Sequence, residues 1–241
     1  MLCESPRSGR AVAVCDDDPV TVRVWWAHLV EPERAPELVD LLDEHERGRL
    51  RRFRQPADRA RYLAAHALTR LVVGAAVGRP AGELVLDRTC RCGEQHGKPT
   101  LPGGPGFSLT HAGDLVGVVV ADGAVGLDVE QVRPLHDLAS MAGHVCSPAE
   151  QAPDADTFFA LWTRKEALLK ATGDGLTSPM NAITLGQEGV VEWTGAGAPT
   201  GPVWLRDLRP APGYPAAVAG LGDPPPAIDE SDGDPVLLTG T

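Results

Sequence analysis

The chain has 241 residues, of which 33 are acidic and 22 are basic, so its formal net charge is −11. Binding to a nucleic-acid backbone depends chiefly on excess positive charge, and this balance therefore argues against a nucleic-acid partner. Hydrophobic residues make up 43% of the chain, as is usual for a globular protein. No apolar run reaches the roughly 18 residues that a membrane-spanning helix needs, so we expect no membrane span.

The hydrophobic patterns predict helices and strands along most of the chain. In chain order these are a strand at residues 22–29, helices at 36–53 and 58–77, strands at 84–86, 107–109, 116–121 and 124–129, a helix at 157–171, and strands at 189–194, 203–207 and 216–219. Residues 1–19 lack the apolar core of a signal peptide and are predicted to be disordered, which by default places the protein in the cytoplasm. The Pro-, Asp- and Gly-rich segment 222–241 is predicted to be a disordered tail.

The dipeptide Asp122-Gly123 joins two runs rich in β-branched residues, which predicts a β-hairpin. The second run contains Gly126-Leu127-Asp128-Val129-Glu130. Because side chains alternate along a strand, Asp128 and Glu130 would share one side, with their Cα atoms roughly 6.5–7 Å apart. That spacing suits two carboxylate oxygens on one hard cation, although such a pair alone is usually a solvated strand face.

The predicted helix at 157–171 carries a second motif, residues 162–170, which read Trp-Thr-Arg-Lys-Glu-Ala-Leu-Leu-Lys. Residues four apart are neighbours on a helix, so Glu166 and Lys170 share a face, and Gly173 and Gly175 predict the helix end. A Glu–Lys pair at this spacing is by itself usually a surface pair. Three carboxylates and a lysine that can converge nevertheless indicate a divalent cation acting on a phosphate-rich substrate.

Two upstream segments carry further candidate residues. The first is a basic stretch with Arg47, Arg49, Arg51, Arg52, Arg54, Arg59 and Arg61. Several of these arginines are expected to form a solvated helix face. The second contains Cys90, Cys92 and His96, which offer three ligands at a C-x-C spacing. Structural zinc usually has four ligands, so a plain loop is favoured over zinc, and the five cysteines of the chain are most simply free thiols in a reducing compartment.

Four motifs in a fixed order carry a resemblance to a known family. They are Gly97-Lys98-Pro99, Phe107-Ser108-Leu109-Thr110-His111, Gly126-Leu127-Asp128-Val129-Glu130 and the helical segment 162–170. With these motifs the chain resembles the Sfp-type 4'-phosphopantetheinyl transferases over residues 20–220. That family moves the phosphopantetheine arm of coenzyme A to a serine of an acyl or peptidyl carrier protein, releases 3',5'-ADP and uses Mg²⁺.

The resemblance implies a fold and a set of roles. The fold is α+β, with two similar halves at residues 20–125 and 126–221 that are related by a pseudo-twofold axis and enclose the active site. Asp128, Glu130 and Glu166 would hold Mg²⁺, with Mn²⁺ as an alternative ion. Glu166, directly or through a metal-bound water, would accept the proton of the carrier serine. Lys170 would donate a proton or a charge-assisted hydrogen bond to the leaving phosphate.

Coenzyme A contacts are implied by the same resemblance. They involve Arg49, Arg52, Arg61, Lys98, Thr110, His111, Lys165 and Lys170. For Lys165 a second interpretation stays open, that of an amphipathic stem in the core. Similar proteins can have a lysine where Glu46 stands, which puts part of the basic contact in question. Glu150 is a supporting candidate, with charge pairing at a helix N-terminus as the alternative.

The expected partner is the apo form of an acyl or peptidyl carrier protein, bound by a monomer. Residues 135–145 and the segment before Glu150 are expected to supply a local apolar or basic patch for it. Fatty-acid, polyketide, nonribosomal-peptide and siderophore pathways all use this chemistry, including the pathways of secondary metabolism and antibiotic biosynthesis. Two other functions stay open: a non-catalytic relative that binds coenzyme A or a carrier only, and a Mg²⁺-dependent phosphodiesterase or nuclease.

Overall fold

The computed structural model describes residues 22–90, 93–173, 178–195, 197–225 and 227–240. Its helices and strands are β1 Val22–His28, α1 Pro36–Leu41, α2 Glu44–Leu50, α3 Pro56–Val77, β2 Gly106–Ala112, β3 Leu115–Ala121, β4 Val125–Val129, α4 Leu138–Val145, α5 Ala155–Thr172, β5 Ile183–Leu185, β6 Val190–Trp193, β7 Val203–Ala211, β8 Tyr214–Leu221, β9 Ile228–Asp232 and α6 Asp234–Thr239. The fold is therefore a mixed α+β fold, as the sequence predicts.

The strands form two main sheets whose connections match. The first sheet has the order β2-β3-β1-β9 and the second has the order β4-β8-β7, while β5 and β6 form a separate pair. The sequence β1–α3–β2–β3 builds the order β2-β3-β1, and the sequence β4–α5–β7–β8 builds the order β7-β8-β4. Each three-stranded unit is antiparallel, with its middle strand supplied by the last strand of the unit.

Three hydrophobic clusters hold these layers together. In the first, α3 packs on one face of the first sheet through residues such as Leu63 and Leu68. In the second, the opposite face of that sheet packs on the second sheet, with Val119 against Leu127 and Val218 in one cluster. In the third, α5 covers the far face of the second sheet. The core therefore places α5 and β4 in direct contact, and these elements carry the two acidic motifs.

The predicted hairpin at Asp122-Gly123 is wrong. Strand β3 pairs with β1 and β2, whereas β4 pairs with β8, so Asp122-Gly123 is the point where the chain passes from one sheet to the other. A β-carbon on Gly106 would lie 1.9 Å from the carbonyl oxygen of Gly123, so the crossing is packed tightly against β2. The dipeptide indeed makes a turn, but long-range pairing decides which strands it separates.

The predicted disordered tail is also wrong. Residues 228–232 form β9, which pairs in parallel with β1 at the edge of the first sheet, and α6 packs Leu237 into the first cluster. Trp26 Nε1 donates to Glu230 at 2.8 Å, and the amide of Gly233 donates to the carbonyl of Trp26 at 2.7 Å. The segment is polar because β9 is an exposed edge strand, and Leu237 of α6 is the residue after it that is buried in the core. The predicted disorder of residues 1–19 lies outside the described residues.

Local signals shift two of the predicted helices. The segment predicted as one helix at 36–53 is two helices, because Asp43 starts α2 with a reciprocal capping box to Glu46. The next helix begins at Pro56, so Asp58 lies in its first turn and pairs with Arg61. Over the described ranges, no helix is long and apolar enough to cross a membrane.

Candidate active site

Gly126 brings the two acidic motifs together. A β-carbon at this position would lie 2.0 Å from the carbonyl oxygen of Ala167 and 2.5 Å from the amide nitrogen of Ala171, both in the backbone of α5. Only glycine lets β4 and α5 approach this closely. Because Glu166 and Lys170 lie on α5 and Asp128 lies two residues beyond Gly126, the glycine sets the distance between the motifs.

Asp128 is buried on β4 and has only one of its oxygens satisfied. Its Oδ1 accepts from Lys170 Nζ at 2.7 Å and from Thr110 Oγ1 at 3.1 Å. Its Oδ2 is buried and has no hydrogen-bond partner among the described residues. Burial raises the pKa of Asp128, although the ammonium of Lys170 acts against it. Buried polar atoms normally have a partner, and a carboxylate oxygen is a good ligand for a hard cation, so Oδ2 is a candidate metal ligand.

Glu166 and Glu130 lie close enough to Asp128 for their charges to interact. Burial raises the pKa of Glu166, and the charges of Asp128 and Glu130 raise it further, against the opposing charge of Lys170. Mutual repulsion of this kind is typical of carboxylates that share a cation. Within the described ranges, however, no three His, Cys, Asp or Glu side chains are already arranged to hold a metal ion.

Two basic side chains pair with these carboxylates. Lys170 Nζ bonds to Asp128 and also to the carbonyl of Leu127 at 3.0 Å. Arg133 NH1 donates to Glu130 Oε2 at 2.9 Å, and the guanidinium lies 4.7 Å from the centre of the Phe159 ring. Arg133 was not among the predicted site residues. Its spacing of three residues from Glu130 is the only sequence signal that points to it.

Thr110 and His111 point to opposite faces of β2, because neighbouring side chains alternate along a strand. Thr110 is buried against β4, where its Oγ1 also accepts from the amide of Val129 at 3.1 Å. His111 is exposed and lies on the side that faces α3. The protein packed around the ring nevertheless lowers the pKa of His111 to about 4, and the charges of Lys170, Arg61 and His66 contribute to this.

The predicted basic residues divide into two kinds. Arg61 is half-buried, with its guanidinium bonded to the carbonyl of Gly113 at 2.8 and 3.0 Å and to Asp58 at 2.7 Å. Arg49 and Arg52 are exposed on and just after α2. Arg61 is thus held in one orientation, whereas Arg49 and Arg52 project from the surface.

Lys98 has a structural task at the junction of the motifs. Its Nζ donates to the carbonyl of Val125 at 2.6 Å and to the carbonyl of Lys170 at 2.9 Å, so it ties the start of β4 to the end of α5. Burial, together with the charge of Lys170, lowers the pKa of Lys98 to about 8. Lys98 also lines a cavity of about 530 Å³, with Gly106 and Gly173 among the other lining residues.

Lys165 does not face the site, which corrects the expectation that it contacts the coenzyme A phosphates. Its side chain is fully buried, forms an ion pair with Glu150, and donates to the carbonyl of Val145 at 2.7 Å. Glu150 in turn accepts from the amides of Ser147 and Leu185 at 2.7 Å each. The open alternative of a core stem is therefore the one observed, with the ammonium paired inside.

Of the three residues considered for zinc, Cys92 lies outside the described residues. Cys90 lines the cavity beside Lys98, and His96 is exposed.

The chain is similar in sequence to known proteins. Residues 124–217 match the model of the 4'-phosphopantetheinyl transferase superfamily, and this range runs from β4 through α5 and β7 to the first half of β8. The chain is 33% identical over 217 residues to the 4'-phosphopantetheinyl transferase HetI of Nostoc sp., which covers 83% of this chain and 88% of HetI. It is 30% identical over 159 residues to the transferase psf-1 of Bacillus pumilus (61% of this chain, 65% of psf-1). It is 24% identical over 198 residues to the transferase Sfp of Bacillus subtilis (77% of this chain, 85% of Sfp).

The similarity over most of its length shows that the chain belongs to the 4'-phosphopantetheinyl transferase superfamily and is a 4'-phosphopantetheinyl transferase.

Proposed function

We propose that this transferase moves the 4'-phosphopantetheine arm of coenzyme A to a serine of an apo acyl or peptidyl carrier protein and releases 3',5'-ADP, with Mg²⁺ bound at Asp128, Glu130 and Glu166. The observation that carries the proposal is the buried Oδ2 of Asp128, which lacks a partner in the described part of the chain and lies near a second carboxylate on α5. Mn²⁺ is an alternative ion, because it also prefers oxygen ligands.

The residues present fit such an ion. They offer carboxylate oxygens, and few protein ligands are needed because Mg²⁺ keeps waters and binds substrate phosphate. When bound, the ion supplies charge that polarises the phosphate group and offsets negative charge on the diphosphate. Lys170 pairs with Asp128 and Arg133 pairs with Glu130 in this structure, and with a cation held by these carboxylates both basic side chains would be available to an anionic substrate.

Glu166 is the proposed general base for the carrier serine. Burial and the neighbouring carboxylates raise its pKa when no cation is bound, and a general base needs only hydrogen-bond reach to the serine hydroxyl. Lys170 lies one helical turn further along α5 and shares the face of Glu166. From there Lys170 would donate a charge-assisted hydrogen bond to the phosphate that leaves with 3',5'-ADP.

Coenzyme A would lie across the first half, beside β2 and α3. Arg61 and His111 converge on one face of this region, and the exposed Arg49 and Arg52 can approach its phosphates from α2. Thr110 would act from the other face, through Asp128. The cavity of about 530 Å³ beside Lys98 would receive part of the ligand. The ammonium of Lys98 would hold the backbone that lines this cavity, through its bond to the carbonyl of Val125, and would not contact a phosphate.

We propose that the two three-stranded units are related by a pseudo-twofold axis, with the active site between them. Their matched strand orders and their equivalent helices α3 and α5 support this relation. The enzyme would act as a monomer. The carrier protein would dock on α4 and the residues before it, where Leu138 and Met141 are only partly buried.

Transfer is tested by incubating several purified apo carrier proteins with the enzyme, coenzyme A and Mg²⁺. We expect each accepted carrier to gain the mass of one phosphopantetheine and to release an equal amount of 3',5'-ADP, which chromatography would measure. Bound coenzyme A without transfer to any carrier would support a binding-only relative instead. Cleavage of phosphodiesters or DNA that does not depend on coenzyme A would support a phosphodiesterase or nuclease.

A further inference from the structure

A hydroxyl on the first sheet lies against the buried carboxylate on the second sheet. Thr110 on β2 is buried, and its Oγ1 lies 3.1 Å from Oδ1 of Asp128. The same oxygen lies 3.1 Å from the amide nitrogen of Val129, the residue after Asp128 on β4. Because β2 pairs with β3 whereas β4 pairs with β8, these two hydrogen bonds cross from one sheet to the other.

The direction of the two hydrogen bonds follows from the chemistry of their atoms. The amide of Val129 can only donate, so the hydroxyl oxygen of Thr110 accepts from it. Oδ1 of Asp128 already accepts from the ammonium of Lys170 at 2.7 Å, so this oxygen carries no proton of its own. The single hydroxyl proton of Thr110 therefore points at Oδ1. The hydroxyl is fixed on both its accepting and its donating side.

This arrangement makes the two oxygens of Asp128 different. Oδ1 accepts from two donors, Thr110 and Lys170. Oδ2 is buried and has no hydrogen-bond partner within the described part of the chain. A carboxylate that is held through Oδ1 presents Oδ2 in a fixed direction. Under the proposed function Oδ2 is therefore the oxygen available to the cation.

The two donors on Oδ1 differ in charge and in their expected movement. Lys170 is a partly exposed cation, and under the proposed function it turns toward the phosphate that leaves. Thr110 is neutral, and its place on a buried strand does not change when Lys170 moves. Thr110 can thus keep Asp128 oriented throughout the reaction without repelling a cation.

The packing of β2 does not by itself require a hydroxyl at this position. Phe107 and Leu109 point toward α3 and belong to the first hydrophobic cluster. Ser108 and Thr110 point to the opposite face, because side chains alternate along a strand, and both are buried. Valine is branched at the β-carbon as threonine is, so it could fill the space of Thr110. Valine would, however, lack both hydrogen bonds to β4.

We propose that Thr110 is a positioning residue that holds Asp128 through Oδ1 and so aims Oδ2 at the cation. The inference rests on the proposed function. Thr110 acts through Asp128 and touches neither the cation nor coenzyme A. Removing a hydrogen-bond partner of a metal ligand typically lowers metal affinity by about 10- to 100-fold.

The test is the affinity of the purified chain for Mn²⁺ at saturating coenzyme A, measured by electron paramagnetic resonance. Thr110→Val removes the hydroxyl and should weaken Mn²⁺ binding by about tenfold or more. Thr110→Ser keeps the hydroxyl and should restore most of the affinity. Thr69→Val is the matched control, because it removes a buried hydroxyl that donates to the carbonyl of Ala65 within α3, at 2.7 Å. It should leave the Mn²⁺ affinity unchanged.

Two further measurements separate positioning from other roles of the hydroxyl. The affinity for coenzyme A in EDTA, measured by calorimetry, should be the same in Thr110→Val as in the wild type, because Thr110 does not contact this ligand. In an Asp128→Ala background, Thr110→Val should weaken Mn²⁺ binding no further, because the hydroxyl acts through the carboxylate. A merely structural role would instead give losses that add.

Unchanged Mn²⁺ affinity in Thr110→Val would overturn the inference. So would the same loss of affinity in the Asp128→Ala background, or weaker coenzyme A binding in EDTA, because the hydroxyl would then act elsewhere. If circular dichroism shows that Thr110→Val does not fold, Thr110→Ala carries the same expectations. A wild type that binds no Mn²⁺ at saturating coenzyme A would overturn the proposed function instead.

Discussion

Gly126→Ala probes the packing that builds the active site. The new β-carbon would lie 2.0 Å from the carbonyl oxygen of Ala167, 2.5 Å from the amide of Ala171 and 2.9 Å from Cβ of Lys170. An ordinary contact needs roughly 3.5 Å, so β4 and α5 would have to separate by about 1 Å or more. Two of the three contacts are with helix backbone, which cannot rotate away as a flexible side chain could.

The expected cost is at the upper end of that for an overpacked core, about 3 kcal/mol of unfolding free energy. Catalysis should suffer in addition, because the shift moves Glu166 and Lys170 away from Asp128. A misplacement of about 1 Å can reduce the rate by roughly 100-fold. We therefore expect a loss of kcat in protein that is still folded, with coenzyme A binding in the first half less affected.

Urea unfolding followed by circular dichroism measures the stability, and transfer to a carrier protein at saturating coenzyme A measures kcat. Gly201→Ala is the matched control. A β-carbon on Gly201 meets nothing within 4 Å, and the residue is exposed before β7, so alanine there should change the unfolding free energy by no more than about 0.5 kcal/mol and leave kcat as it is. The reasoning would be refuted if Gly126→Ala unfolded within about 0.5 kcal/mol of the wild type and kept its kcat.

Three further predictions concern buried charges. Lys165→Met should lower the unfolding free energy by about 3–5 kcal/mol, because it leaves the buried carboxylate of Glu150 without its ion-pair partner. Adding Glu150→Gln to this variant should recover part of the lost stability. Strictly additive losses of the two substitutions in urea unfolding would contradict this prediction. Because the folded pKa of Glu46 is about 2 and its ordinary value is 4.5, its stabilisation is complete above pH 4.5 and is lost as the pH falls toward 2, by about 3 kcal/mol in acid unfolding. Glu46→Gln should remove this pH dependence. An acid unfolding transition that is the same in Glu46→Gln and in the wild type would contradict the prediction. Since the pKa values of Asp128 and Glu166 are raised, protons should compete with Mg²⁺ at a higher pH than they do at ordinary carboxylates. The Mg²⁺ affinity measured by calorimetry should therefore fall on mild acidification. A Mg²⁺ affinity that stays constant down to pH 4 would argue against Asp128 and Glu166 as ligands.

The motifs predicted the local structure around the site well because that structure depends on short-range periodicity. The helix predicted at 157–171 is observed at Ala155–Thr172 and ends at Gly173 in a left-handed conformation. Glu166 and Lys170 share its face, as their spacing requires. The contact of Lys170 with Asp128 spans 42 residues and follows from the absence of a side chain on Gly126.

What the sequence did not predict depends on partners far along the chain. Strand β4 pairs with β8, more than eighty residues later, so the turn signal at Asp122-Gly123 could not show that β3 and β4 lie in different sheets. Strand β9 pairs with β1, and a polar edge strand has the same composition as a disordered tail. The spacing of Lys165 could not show its pairing with Glu150, because helical periodicity does not distinguish a core lysine from one that faces a ligand.

The most direct test of the central claim is metal binding at the carboxylates, measured with Mn²⁺ by electron paramagnetic resonance in the presence of coenzyme A. We expect the wild type to bind Mn²⁺ at this site. Asp128→Asn and Glu166→Gln should each bind Mn²⁺ at least about tenfold more weakly, since each removes a charged ligand. Glu44→Gln, an exposed change on α2, is the control and should bind as the wild type does. Equal Mn²⁺ affinity in all four proteins would contradict the account, because it would place the cation away from Asp128 and Glu166.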